Sequence, residues 1–125
     1  MQTIGRGYDP HEHAWSLGVK VVYRPLRTAN GLWIPDLNTI FLQTRMRAIH
    51  ERSVLTHEIG HFWLGHTDAT PRQEIQADRW ASKKLIDIRE LKTAAAANDD
   101  PGLWCHDLNV SPKILTQFMC DSRAS

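Results

Sequence analysis

Two histidines and a glutamate lie close together in a short apolar stretch, and their spacing could hold a metal ion. Residues 54–63 contain the pattern His-Glu-x-x-His at His57, Glu58 and His61. On an α-helix a separation of four residues turns the chain by about 40°, so both imidazoles lie on one face and can bind one zinc ion. Glu58 points to the side of that face, where its carboxylate can reach a metal-bound water. The pattern therefore predicts metal-assisted hydrolysis, with Glu58 as the general base.

The rest of this segment predicts a helix that is buried on its other side. Leu55, Ile59 and Phe62 recur at helical spacing and form an apolar stripe opposite the histidines. We expect the helix to begin between residues 45 and 48 and to end near Leu64. The alternative, a surface helix with two solvated histidines, does not account for the stripe.

The motif leaves the third protein ligand open, and the downstream candidates are His66, Asp68, Glu74 and Asp78. His66 does not fit the longer motif His-Glu-x-x-His-x-x-Gly-x-x-His, because that motif needs glycine at position 64 and histidine at position 67. His66 is instead a candidate for stabilising the oxyanion, if the turn at Gly65 folds it back over the cleft. The alternative for His66 is a position in a surface loop.

Glu74 and Asp78 lie one turn apart on a helix predicted for residues 72–91, so the two acids face the same place. The same stripe is aliphatic at its other end, so its acidic end must meet positive charge or solvent. The alternative to metal binding is that both acids form salt bridges with neighbouring cations: Arg72, Arg79 or Lys83.

Three short segments before the motif predict β-strands, at residues 19–23, 32–34 and 39–42. Because tight turns join them, they predict a small, mostly antiparallel sheet that covers the apolar side of the motif helix. An edge strand beside a metal cleft could also pair with an extended peptide. The expected fold class is α+β, with the sheet packed on the motif helix and on a second helix that carries a metal ligand.

The last part of the chain predicts a helical C-terminal cap. Residues 103–108 form one short helix, and Ser111 begins another that runs to about Cys120. The pair looks like a helix-turn-helix, but the second helix carries Lys113 and little other positive charge. This argues against DNA binding, which needs several phosphate contacts.

The composition predicts a soluble protein of one domain. The chain has 125 residues, of which 42% are hydrophobic and 23% charged, and a net charge of +1. No apolar run approaches the roughly 20 residues of a membrane span, and the N-terminus lacks the apolar core of an export signal. We expect a cytoplasmic monomer with one domain at residues 1–125, its core at about 15–91 and its cap at about 100–121. Cys105 and Cys120 are then free thiols, although a bridge between them is the alternative.

The motif helix and the acidic helix after it together resemble the ImmA/IrrE family of small metallopeptidases. That family combines His-Glu-x-x-His with a downstream helix of the form Glu-x-x-Ala-Asn-x-Phe-Ala, and residues 74–81 read Glu-Ile-Gln-Ala-Asp-Arg-Trp-Ala. Asp78 replaces the asparagine and Trp80 the phenylalanine. The resemblance covers roughly residues 15–91, with a looser match at 108–115.

The resemblance implies a zinc-dependent endopeptidase with one zinc ion per chain. The metal ligands are then His57, His61 and Glu74, while Asp78 hydrogen-bonds a ligand histidine, because a metal-bound imidazole needs its other N–H oriented. Manganese or iron would also bind such a set. Family members occur in bacteria, mobile elements and phages, and several cleave a helix-turn-helix repressor, so the resemblance implies a cytosolic repressor as the protein substrate.

The alternative function belongs to another class: a catalytically silent regulatory module that binds a partner, with a structural or vestigial zinc site. A structural site needs ligands but no general base, so the presence of Glu58 favours catalysis.

Overall fold

The chain forms helices around one small sheet. The computed structural model describes residues 3–124, so Met1, Gln2 and Ser125 of the predicted domain lie outside the described residues. In chain order the elements are α1 (Pro10–Ser16), β1 (Lys20–Tyr23), β2 (Gly31–Ile34), β3 (Thr39–Leu42), α2 (Ala48–Trp63), α3 (Pro71–Leu85), α4 (Ile88–Ala97), α5 (Pro101–Leu108) and α6 (Pro112–Ala124). The predicted α+β class is confirmed. Over residues 3–124, no helix is both long and apolar enough to cross a membrane.

The sheet is mixed, whereas the sequence predicted a mostly antiparallel one. Its strand order is β1-β3-β2, with β3 parallel to β1 and antiparallel to β2. The segment 24–30 between β1 and β2 is too long for a tight hairpin, so β2 does not fold back onto β1. As a result β2 is an edge strand.

One predicted helix is in fact two. The helix expected over residues 72–91 ends at Leu85, and α4 begins at Ile88. The reason is Asp87, whose carboxylate accepts the Arg89 N–H at 2.9 Å and caps a new helix. On one continuous helix Ile88 would extend the aliphatic end of the stripe that begins with Glu74 and Asp78, but it is 45% exposed.

The sheet covers the apolar side of α2, as predicted. Ile40 and Leu42 of β3 are fully buried against Leu55 and Ile59 of α2. A second apolar cluster joins α3 to the C-terminal helices, and its members include Leu85, Leu108, Val110 and Ile114. The contact between α2 and α3 therefore lies between the sheet and the helical cap.

Two neighbouring residues of α2 hold distant segments in place. The Arg52 guanidinium donates to three main-chain oxygens, those of Asn109, Gly5 and Tyr8, at 2.7, 2.8 and 3.0 Å. The Ser53 hydroxyl oxygen accepts the Ser111 N–H at 3.0 Å. These bonds to partly buried main-chain groups fix the N-terminal segment and the start of α6 against α2.

Candidate metal centre

The centre forms where α2 packs closely on α3. Gly60, inside the motif, faces α3, and a Cβ at this position would lie 3.1 Å from Trp80 Cε3 and 3.2 Å from the Ala77 carbonyl oxygen. These distances are shorter than ordinary contacts, so a larger residue would force the two helices apart. The glycine therefore lets the histidine face of α2 approach the acidic face of α3.

Three side chains converge at this contact. The Nε2 atoms of His57 and His61 lie 3.1 Å apart, and the Glu74 carboxylate oxygens lie 2.9 Å from each of them. Ligand atoms at about 2.0–2.1 Å around a tetrahedral ion stand roughly 3.3 Å apart, so these donors need only a small outward movement to surround one. The Glu58 carboxylate is farther away, at 4.0 Å from His57 Nε2. Two imidazoles and one carboxylate are a donor set that fits zinc.

Negative charge surrounds the two imidazoles. Asp78 Oδ1 accepts a hydrogen bond from His57 Nδ1 at 2.7 Å. Burial lowers the pKa of His57, but Asp78, Glu58 and Glu74 raise it overall. Burial and then the neighbouring His57 lower the pKa of His61. Surroundings that attract a proton to His57 also attract a metal cation, and binding a cation displaces that proton.

Glu58 is held against the edge strand β2. Burial raises the pKa of its carboxyl to about 7, an effect partly offset by His57 and by a hydrogen bond from the Trp33 main chain. A Cβ at Gly31 of β2 would lie 2.6 Å from Val54 Cγ1 and 2.9 Å from Glu58 Cγ. The strand thus passes so close to Glu58 that any residue larger than glycine would displace the side chains of Val54 and Glu58.

An open cleft of about 520 Å³ leads from solvent to these groups. One wall is formed by residues 28–31 and the other by the start of α6, residues 111–114. In this second wall the Lys113 ammonium lies 3.3 Å from Asp78 Oδ2. The floor carries the polar groups of the centre: His57, Glu58, Glu74 and Asp78. A cleft of this size is typical of binding sites.

The family of the protein follows from its sequence match. The model of the IrrE N-terminal-like domain, Peptidase_M78, matches residues 14–118. The chain belongs to this family. No curated protein matches the chain at a significant level. Membership confirms the predicted resemblance, and with the buried cluster of His57, Glu58 and His61 it indicates a protein of the metallopeptidase type that binds a metal.

In this Peptidase_M78 member, hydrogen bonds orient both imidazoles of the centre. An ionised Asp78 only accepts, so His57 carries a proton on Nδ1. His66 lies 3.0 Å from Gln76 Oε1 through Nε2, and 2.9 Å from His61 Nδ1 through its own Nδ1. In both imidazoles of the centre Nε2 faces the Glu74 carboxylate, at 2.9 Å, and is the atom that would bind a metal.

His66 lies next to a histidine of the centre, and its predicted role in stabilising an oxyanion stays a prediction. Gly65 adopts a φ of 72° and turns the chain back, as anticipated. The turn brings His66 behind His61, however, where it is buried, and not over the cleft or into a surface loop. Both ring nitrogens have partners, so contact with an oxyanion would require one of these hydrogen bonds to break, and this geometry favours an orienting role. Gln76 was missed because no local pattern marks it as a partner of His66.

Two thiols and a further histidine lie away from the floor of the cleft. Cys105 and Cys120 are free thiols, the first buried and the second exposed. His50 lies on the cleft wall, where its Nε2 is 3.1 Å from the Asn30 amide nitrogen. None of these three residues lies among the converging donors of His57, His61 and Glu74.

The orienting residues should contribute to metal affinity. Asp78→Ala and His66→Ala should each weaken zinc binding by about 10- to 100-fold, because a ligand imidazole loses the partner that holds it. Glu74→Ala should lose most binding, because it removes a donor. Competition against a chromophoric chelator measures these affinities, with exposed Lys83→Ala as the control on the same helix. Wild-type affinity in Asp78→Ala would contradict the orienting role.

Proposed function

We propose that this protein is a zinc-dependent endopeptidase that cleaves a cytosolic protein. The observation that carries the proposal is the buried Glu58 carboxylate beside three converging donors, at the floor of an open cleft. A structural metal site needs neither an open cleft nor an additional carboxylate beside its ligands. Bound in this centre, a zinc ion would supply Lewis-acid activation of the scissile carbonyl and of the attacking water.

Glu58 is the general base in this proposal. Its carboxylate takes the proton of the attacking water and later passes that proton to the leaving amine nitrogen. The hydrogen bond from the Trp33 main chain and the contact with Gly31 hold the carboxylate on the cleft side. His57, His61 and Glu74 hold the metal, and Asp78 and His66 orient the two imidazoles.

The edge strand β2 supports an extended peptide as the substrate. Its outer side borders the cleft, since Gly31 lines the cleft and the Trp33 main chain reaches Glu58. A peptide that lies along this edge would pass the general base with its backbone extended. Such binding requires an unfolded or exposed segment, which suits cleavage within a protein substrate.

We propose a helix-turn-helix transcriptional repressor as the substrate, cleaved at one site in a bacterial cytoplasm. The support is the resemblance to the ImmA/IrrE family, several members of which cleave such repressors. Membership of the Peptidase_M78 family is compatible with this substrate. We propose that the active form is a monomer with one zinc ion per chain, because a single chain supplies all the proposed metal ligands.

Incubation of the zinc-loaded protein with the repressor encoded beside its gene tests the proposal. We expect one defined cut, which electrophoresis and mass spectrometry locate, and no digestion of casein. Glu58→Gln should keep the fold and the zinc but slow cleavage by about 10²- to 10⁴-fold or more, because it removes the base. Chelation of the metal should stop cleavage.

Two outcomes would contradict this mechanism. Unchanged cleavage by Glu58→Gln would exclude Glu58 as the base, and loss of zinc from that variant would make it a ligand. A repressor that binds stably to the zinc-loaded protein and stays intact would favour the alternative function, a regulatory binding module.

Gly31→Ala should impair catalysis through the position of Glu58. The added methyl group displaces the carboxylate, so we expect kcat to fall by about 10²-fold while zinc affinity is unchanged. The double variant Gly31→Ala/Val54→Ala removes the 2.6 Å contact with Val54 and leaves the 2.9 Å contact with Glu58. It should therefore recover thermal stability without recovering kcat. Full activity of the double variant would show that Gly31 matters for packing alone. Gly7→Ala, where an added Cβ would meet only the Thr3 side chain and which lines neither the cleft nor the groove beside it, is the control.

A further inference from the structure

Four arginines lie on two segments at one end of the sheet, and the proposed chemistry does not use them. We call them the arginine face: Arg24 and Arg27 after β1, and Arg45 and Arg47 after β3. All four side chains are exposed. The segments that carry them, residues 24–30 and 43–50, contain no aspartate or glutamate. The face is therefore a local concentration of positive charge in a chain whose net charge is only +1.

The two segments are held against each other. Because β1 and β3 are parallel, the segments that follow them leave the sheet at the same end. The Gln43 side chain donates to the Leu26 carbonyl oxygen at 2.6 Å and accepts the Leu26 N–H at 3.0 Å. Met46 packs against the core, while its neighbours Arg45 and Arg47 face solvent. The fold thus holds the two segments side by side, with all four arginines exposed.

Among residues 3–122 none of the four arginines has a carboxylate partner, and Glu51 in the first turn of α2 bonds to His11 and Tyr23 instead. The ion pairs of that part of the chain involve Arg79, Arg89, Lys113 and three histidines, and none of the four arginines. Like charges on adjoining segments repel one another, so an anionic partner would relieve this repulsion.

The arginine face borders the cleft of the metal centre. Residues 28–30, which follow Arg27, form part of the cleft wall. A second groove of about 440 Å³ runs from Arg47 between the start of α2 and α5, and it shares His50, Ser111 and Pro112 with the cleft. Its lining includes no aspartate or glutamate. A polypeptide that leaves the cleft along this groove meets only neutral and basic side chains.

We propose that the arginine face and the adjoining groove bind an acidic segment of the protein substrate, on one side of the bond that is cut. The inference rests on the proposed function, since it describes how the same cleft selects its substrate. Guanidinium groups pair with carboxylates through two parallel hydrogen bonds and keep their charge at physiological pH. A positive surface beside the cleft also accelerates the encounter with an acidic partner.

The charges of the cleft favour a protein over a nucleic acid. The floor contains three carboxylates, and that of Glu74 is 41% exposed. These would repel a phosphate chain that crossed the cleft, whereas a peptide backbone is neutral there. Four arginines also supply fewer contacts than tight, sequence-independent binding to DNA requires at physiological salt.

Binding of defined probes tests the proposal. Zinc-loaded Glu58→Gln protein is titrated with three fluorescein-labelled probes: a peptide rich in aspartate and glutamate, its asparagine and glutamine counterpart, and a short DNA duplex. We expect the acidic peptide to bind about tenfold more tightly than the neutral one at low salt, and less so at high salt. Arg27→Gln/Arg47→Gln should remove this preference. Lys83→Gln/Lys92→Gln, with the same change of net charge on α3 and α4, should keep it.

Three results would overturn the proposal: equal binding of the two peptides, an equal loss of preference in the control variant, or tighter binding of the duplex than of the acidic peptide. Melting temperatures of the variants establish that each is folded. A different result would contradict the proposed peptidase function and leave the binding surface in place. The wild-type protein would then keep its preference for the acidic peptide and cut no protein, so the binding surface would stand without the peptidase activity.

Discussion

The close contact between α2 and α3 at Gly60 is the constraint on which the site depends. It brings a row of histidines on one helix to a carboxylate on the other, with 2.9 Å between Glu74 and each imidazole. One buried apolar cluster packs the sheet on α2, and a second packs the helical cap on α3. Hydrophobic packing therefore supplies the free energy that holds several polar and ionisable groups in one place.

Two short chains of hydrogen bonds refine this arrangement. One runs from Lys113 through Asp78 to His57, and the other from Gln76 through His66 to His61. Each chain ends on the Nδ1 atom of an imidazole, and the Nε2 atom on the other side of each ring faces the Glu74 carboxylate. The helical cap takes part in the first chain through Lys113, so its packing on α3 affects the centre directly.

The parts of the fold that could be predicted are those with a signal in neighbouring residues. The helical spacing of the motif, and the one-turn separation of Glu74 and Asp78, identified residues that the structure brings together. The break at Asp87 also has a local signal, a capping residue, but the aliphatic stripe that continues past it favours one long helix. The parallel pairing of β1 with β3 and the burial of His66 beside Gln76 depend on contacts between separate elements, and no local pattern encodes them.

A crystal structure of the zinc-loaded protein, with anomalous scattering to identify the metal, shows which side chains bind the ion. We predict one ion per chain, bound by Nε2 of His57 and His61 at about 2.0–2.1 Å and by the Glu74 carboxylate at about 2.0–2.2 Å, with an open fourth position that faces the cleft. A Glu74 carboxylate more than about 4 Å from the ion, or Glu58 bound to the ion in its place, would contradict it.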